Sequence, residues 1–516
     1  MNRRLALILG IAALASACSN EAARTQGGRE SGLTESRAGA SNDVMLSSDV
    51  DGEIIAFTVH EPELFEPDRS YPLILEGHGY GGFRYNQTRR GSVPPAFRAL
   101  LDAGYGVISI DQRGHGASGG TARLQDPEFE GRDLLQIVDW AEANLPWLAF
   151  RDGNLVLGAI GESYGGGFQH LLHRVDTKRR LDALAPDITW HDLRRSFFEG
   201  GVFKSAYGAF FQAVPIEGRT RGADTRPDPL VTQLLAEGVA LNRLTDEQLD
   251  FLYQRSPISA CEAGTLAPVD IFYTQSAHDT LFSVNEAYDN VRCYRALGGD
   301  VRLWIKPQGH SVPVGGGGGT PSQDCGERNR DQALVAWFDE KLKGIAGAAD
   351  NIPRVCLHLG IDGGDSIIAE DLTVGSDTPV AIAPQSMTLQ DGSMTELVLP
   401  LLTAEQAQIL GGIPTVELSI LDATPGALEA GDPVLFIGLG LTRGGVVLSL
   451  NFLRAVRGYG SHSIELPAAF ERLQAGDVVS LRLRSGSVGL YPGAGSRTPV
   501  PVTVEARVGL PLRAAP

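Results

Sequence analysis

A serine at position 163 stands in Gly161-Glu162-Ser163-Tyr164-Gly165, after the apolar run Leu155-Val156-Leu157 and before the helical stretch Phe168 to Arg174. Glycines flanking a serine let a strand reverse into a helix without side chains crowding the turn, so that the hydroxyl projects from the sheet edge. A hydroxyl is a weak nucleophile near neutral pH. It needs a base to take its proton and an acid to hold that base in one tautomer. In serine enzymes built on this turn the chain order is Ser, then Asp or Glu, then His. Asp279 follows the strand-like run Val269 to Tyr273, and His310 follows the run Val301 to Ile305 through Lys306-Pro307-Gln308-Gly309. Ser163 is therefore the expected nucleophile, His310 the general base and Asp279 the acid that orients it. Asp270 sits at the wrong end of its strand and Asp289 within the next helix, so both read as surface carboxylates.

The oxyanion of a tetrahedral intermediate needs two donors, each worth about 3 kcal/mol of barrier. One is expected from the backbone N–H of Tyr164. The other is expected from the loop Glu76-Gly77-His78-Gly79-Tyr80-Gly81-Gly82, at the N–H of Tyr80, with Gly79 the next choice and the Tyr80 hydroxyl a helper. His78 reads as structural. In Asp111-Gln112-Arg113-Gly114-His115, Asp111 and Arg113 read as ion-paired scaffold and His115 as a loop residue. No P-loop, H-E-x-x-H or dinucleotide fingerprint is present, and no two cysteines are spaced as zinc ligands, so neither cofactor nor metal is expected.

These side chains need elements that bring them to one edge. Short apolar runs at Ile54 to Val59, Pro72 to Leu75, Val107 to Ile110 and Leu155 to Leu157 read as strands buried on both faces. Helical stretches alternate with them at Ala96 to Ala103 and Leu134 to Ala143, and a final helix is expected from about Arg328 to Lys343. Such alternation implies a parallel sheet covered by helices. The expected fold class is α/β: an α/β-hydrolase domain over 45–347, with an inserted aromatic-rich helical cap at about 187–262. From 350 to 516 short β-type runs, beginning with Arg354 to Leu359 and divided by Gly, Pro and Asp, predict a C-terminal sandwich or jelly roll. The run Gly315 to Gly319 reads as a loop.

The chain has 516 residues and a formal net charge of -18. That charge makes nucleic acid an unfavourable partner. Arg3 and Arg4, then Leu5 to Leu14, then Ala15-Ser16-Ala17 have the form of an export signal over 1–18. Cys18 follows directly and resembles the lipid-modified cysteine of a bacterial lipoprotein signal, while Ala15-Ser16-Ala17 also fits ordinary secretion. Residues 19–44 read as a polar, disordered tether. The expected location is the bacterial cell envelope through a lipid anchor on Cys18, or otherwise the periplasm or exterior. In that setting Cys261, Cys293, Cys325 and Cys356 would form two disulfides, with three connectivities open.

Gly161 to Gly167, the run Leu184-Ala185-Pro186-Asp187-Ile188-Thr189-Trp190, the loops Ala277 to Phe282 and Gly309-His310, and the trailing β region together resemble a family. It is the Xaa-Pro dipeptidyl-peptidase-like hydrolases of the S15 peptidase class, which include cocaine esterase, α-amino acid ester hydrolases and glutaryl-type acylases. The resemblance implies a Ser-Asp-His triad acting on small peptide, amide or ester substrates, with the jelly roll packed against the catalytic domain to shape the pocket. Members that accept a free α-amine hold it with carboxylates, for which Glu162, Glu199 and Glu217 are candidates. The first reading is cleavage of peptide or amide bonds of small acyl groups through an acyl-enzyme on Ser163. A carboxylesterase or acylase is the alternative, and an inactive surface binding protein is the third reading.

Overall fold

The structure is a computed structural model that describes residues 39–66, 68–214, 225–310, 324–360, 365–373, 375–423, 432–487 and 489–515. The export signal, Cys18, most of the tether, Glu217 and the Gly315 to Gly319 loop lie outside the described residues.

Ten strands form one large sheet: β1 (Ser41–Ser47), β2 (Ile54–His60), β3 (Leu73–Gly77), β4 (Gly106–Ile110), β7 (Leu157–Glu162), β8 (Leu181–Asp187), β9 (Asp270–Ser276), β10 (Val301–Lys306), β11 (Val355–Leu359) and β12 (Asp365–Ala369). Their spatial order is β1-β2-β4-β3-β7-β8-β9-β10-β11-β12, and a two-stranded hairpin of β5 (Phe150–Arg151) and β6 (Asn154–Leu155) lies apart. From β4 to β11 every pair is parallel; β1, β2 and β12 add antiparallel edges. β3 and β4 are buried at every position, because helices cover both faces of a parallel sheet. The covering helices are α1 (Pro95–Asp102), α2 (Glu130–Asn144), α3 (Tyr164–Val175), α9 (Val284–Ala296) and α10 (Arg330–Lys341), while α4 (Leu193–Phe197), α5 (Ser205–Ala213), α6 (Pro229–Leu241), α7 (Asp246–Gln254) and α8 (Pro257–Ala263) form a cap over the carboxyl ends of the strands.

Three expectations change. Ser41 to Val44, read as tether, belong to β1, which pairs along its whole length with β2. The run Arg354 to Leu359, read as the first strand of the C-terminal region, contributes β11, which pairs in parallel with β10 (Leu303 with Val355). Its pattern explains the placement: all five residues of β11 are buried, as in a central parallel strand, whereas sandwich strands alternate. Leu181–Asp187, seen in the sequence only as a motif, is a full strand beside β7.

The four cysteines pair as Cys261–Cys293, joining α8 to α9, and Cys325–Cys356, tying the segment before α10 to β11.

The C-terminal region is all-β: β13 (Ser376–Leu389), β14 (Glu396–Thr403), β15 (Gln408–Gly412), β16 (Thr415–Asp422), β17 (Val434–Arg443), β18 (Val446–Ser449), β19 (Arg454–Arg457), β20 (Gly460–Glu465), β21 (Ala469–Leu473), β22 (Val478–Arg484) and β23 (Val500–Ala514). They form two antiparallel sheets, β20-β16-β23-β15-β21 with β13 on β23, and β14-β22-β17-β18 with β19 on β17. β16 shows the half-buried alternation of a sandwich strand: Val416, Leu418 and Ile420 face the core while Thr415 and Glu417 face water. β17 departs from it, being buried over Val434 to Leu441. Its Leu435, Ile437 and Leu439 enter the sandwich core, whereas Val434 and Phe436 join a second cluster with Phe197, Phe203 and Tyr207 of the cap. Among the described residues, the core of the cap is continuous with this face of the β region.

Candidate active site

β7 delivers its last residues to a sharp turn. Gly161 has φ +152 and passes so close to β3 that a Cβ there would stand 2.4 Å from the Gly77 carbonyl oxygen; a Cβ on Gly165 would stand 1.9 Å from the same atom. Only glycine fits either position. Ser163 itself is held at φ 56, ψ -114, a region a side chain occupies only when the surroundings over-determine it. Its N–H donates to the Asp187 carbonyl at 2.8 Å, and its own carbonyl accepts from Gly166 and Gly167. The hydroxyl projects from the carboxyl edge at the start of α3.

Two and three strands over, β9 and β10 bring the other candidates to the same edge. His310 Nε2 lies 3.1 Å from Ser163 Oγ, and His310 Nδ1 lies 2.7 Å from Asp279 Oδ2. With Nδ1–H donating to the carboxylate, Nε2 is left to accept the serine proton. Asp279 is fully buried, and its Oδ1 accepts the N–H groups of Leu281 and Phe282, both at 2.9 Å. The Gln275 amide adds a donor to Oδ2 at 3.3 Å. Burial alone would lower the imidazole's pKa, but the charge and hydrogen bond of Asp279, helped by Glu162 and Asp187, leave it raised. Asp270 and Asp289 stay out of the site, bridged to Lys341 at 3.3 Å and Arg195 at 2.7 Å.

Tyr164 opens α3, so its backbone N–H has no acceptor within the helix. The Gly79-Tyr80 loop passes alongside: a Cβ at Gly79 would stand 3.9 Å from Ser163 Cβ. His78 braces that loop, its Nδ1 donating to the Gly79 carbonyl at 2.8 Å and its Nε2 accepting from Gln112 N–H at 3.1 Å. The Gln112 amide bonds the His78 carbonyl at 2.7 Å, and Gln125 Nε2 links the Gln112 side chain to the Tyr164 carbonyl. The Gly79-Tyr80 loop and the start of α3 thus hang on one network, in which Gln112 and Gln125 carry no motif legible in the sequence. Asp111 and Arg113 are both ion-paired, though not to each other: Asp111 holds Arg84, while Arg113 binds Asp133 and Asp51. His115 is buried between Tyr80, Tyr164 and His78, and burial pushes its pKa down to about 3.

Two cavities open near the nucleophile turn, and Ser163 walls only the first of them. On the cap side a cavity of 30 Å³ is walled by Ser163 and apolar groups, among them Tyr80, Leu124, Trp190, Phe211 and Phe282. These come from five separate segments, which is why sequence reading did not assemble them. On the other side a cavity of 810 Å³ is lined by Glu76, Tyr80, Glu162, Asp187, Phe272 and Arg330. Burial raises the Glu76 carboxyl to about 7. Glu162 opens to solvent at its surface but is enclosed on its other sides, which raises its carboxyl, with Asp187 adding repulsion. Of the carboxylates considered for an amine, Glu199 is buried and engaged by Tyr491 Oη at 3.2 Å and by Arg454 and Lys204. Among the described residues no His, Cys, Asp and Glu group is arranged to hold a metal.

The family model described as X-Pro dipeptidyl-peptidase (S15 family) matches residues 51–312, just over half of the chain. The chain belongs to the S15 family. Membership supports a function of the serine-hydrolase type. The S15 match ends just past His310 and takes in Ser163 and Asp279. A solved α-amino acid ester hydrolase is similar to this S15 chain with a TM-score of 0.68 over 95% of it and 98% of that protein, at 15% identity. A CocE/NonD family hydrolase from Staphylococcus aureus aligns over 93% and 98% with a TM-score of 0.61 at 13% identity. Both have the same fold, an α/β-hydrolase sheet followed by an all-β region. Among curated proteins, a 31.7 kDa Escherichia coli protein from the traX-finO intergenic region is 28% identical over 141 residues, 27% of this chain. The matched stretch spans 44% of that relative, less than half its length.

Proposed function

We propose that this S15 protein cleaves amide or peptide bonds of small apolar acyl groups through a covalent acyl-enzyme on Ser163. The observation that carries the reading is the unbroken chain of hydrogen bonds from Ser163 Oγ through His310 to Asp279. His310 takes the hydroxyl proton as Oγ attacks the carbonyl carbon, and the backbone N–H groups of Tyr164 and Tyr80 receive the developing oxyanion. His310 then returns the proton to the leaving amine, and water repeats the cycle to release the acid. The 30 Å³ apolar cavity walled by Ser163 supports a small acyl group. A second reading, an esterase, is favoured by one observation: Glu199, a candidate for holding a substrate amine, is consumed inside the protein by Tyr491, Arg454 and Lys204.

Fluorophosphonate labelling tests the nucleophile. The parent protein is expected to label and Ser163→Ala not to; an unlabelled parent would favour the inactive binding protein. Rates on anilides and esters sharing one small acyl group separate the two enzyme readings, and turnover of esters alone defeats the amidase. We further propose export, with Cys18 as the lipidated residue; metabolic labelling with a fatty-acid probe, lost in Cys18→Ser, checks this.

A further inference from the structure

Asp279 is held by two peptide units, and each has a second end. The N–H of Leu281 belongs to the same peptide as the Thr280 carbonyl, and the N–H of Phe282 to the same peptide as the Leu281 carbonyl. Both N–H groups donate to Asp279 Oδ1 at 2.9 Å. Both carbonyls face one ammonium: Lys204 Nζ stands 3.1 Å from Thr280 O and 3.4 Å from Leu281 O. Lys204 is a cap residue just before α5, its side chain only 2% exposed.

We infer that Lys204 is a positioning residue for the acid of the triad, gripping by their carbonyls the two peptides whose N–H groups grip Asp279. A cation on a carbonyl polarises the amide and strengthens the bond its N–H donates, an effect that grows where the surroundings are dry. The ammonium also holds the Thr280-Leu281-Phe282 turn against the cap, with the Tyr207 hydroxyl bonded to Thr280 Oγ1 at 2.7 Å. The site is built on both sides. Lys204 Nζ lies 3.8 Å from Glu199 Oε2 and 5.2 Å from the centre of the Phe452 ring. Glu199 in turn accepts from Tyr491 and pairs with Arg454 at 3.4 Å. The charged groups facing the ammonium are thus Glu199 from the preceding turn, Glu286 from α9, Asp279 from its loop and Arg454 from β19. Burial lowers the pKa of Lys204, with Arg454 adding to the effect and the three carboxylates opposing it.

The inference rests on the triad reading above, and its sign is definite. Removing the cation weakens the donors to Asp279 and leaves more negative charge near His310, so the imidazolium becomes easier to form. The pH profile of kcat/KM reports the base of the free enzyme. For p-nitrophenyl acetate hydrolysis, Lys204→Met and Lys204→Gln are expected to move the acid limb upward by about half a pH unit. They should also lower kcat about tenfold with KM unchanged, a modest part of the roughly hundred-fold or greater contribution of a positioned base. Lys204→Arg, which keeps the cation, should keep the parent limb. If Lys204→Met does not fold, the comparison of Lys204→Gln with Lys204→Arg carries the test. Neutral variants that fold and keep the parent limb and kcat, with loss confined to thermal stability, overturn the inference. Hydrolysis surviving in Ser163→Ala would instead overturn the triad reading, so the two failures are distinct.

Discussion

Ser163 spends conformational freedom to aim one oxygen: its φ of 56 is tolerated because Asp187, Gly166 and Gly167 hold its backbone on both sides. The charge around its base is set as locally. His310 must be neutral to accept the proton, so activity falls as pH drops through its pKa, which lies above the ordinary 6.5. Glu162 is one of the carboxylates that raise it. In Glu162→Gln that charge is gone, the imidazolium is less favoured, and the acid limb of kcat/KM should move to lower pH by about half a unit, read in a pH–rate series. Residue-scale legibility was uneven for a physical reason. The trio was readable because a turn glycine, a strand and a chain order each leave a mark in sequence. Lys204 was not, because its partners are backbone carbonyls, which every residue has.

At the scale of elements, the nucleophile turn depends on how closely β3 and β7 approach. The Gly77 carbonyl is the wall against which both Gly161 and Gly165 are fitted. Gly165→Ala forces that carbonyl or the start of α3 to move, at a cost of about 3 kcal/mol or more, with labelling of Ser163 lost as well. Gly52→Ala is the contrast: φ is +80 but nothing lies within 4 Å, so only the backbone penalty of about 1 kcal/mol applies. Denaturant midpoints of the two variants check the difference. The central strands were legible as short apolar runs between helical stretches. β11 was misplaced because it follows the last helix and leads, through β12, towards the sandwich strands, and β8 escaped because Pro186 and two acidic residues dilute its apolar signal.

For the whole molecule, two disulfides close segments of 32 and 31 residues, the first around the Asp279 loop and the second around α10. Each is expected to contribute about 3 to 4 kcal/mol by restricting the unfolded chain. Cys261→Ala with Cys293→Ala, and Cys325→Ala with Cys356→Ala, should each lower the denaturation free energy by that order, and reduction of the parent, which breaks both bonds, by about the sum of the two. The acyl cavity lay beyond sequence reading because its walls meet only in the assembled molecule.

The core shared between the cap and the β region has a consequence for synthesis. Phe197, Phe203 and Tyr207 complete their packing against Val434, Phe436, Leu490 and Tyr491, and α5 is bonded to that region through Ala206 N–H to Leu490 O and Ser205 Oγ to Pro492 O. A ribosome reaches Val434 about 120 residues after His310, a lag of roughly 6 to 25 s at ordinary elongation rates. Through that interval the residues of the trio are already made while one wall of the roof above them is not, so the cap can complete its packing only after Val434 to Tyr491 have been added.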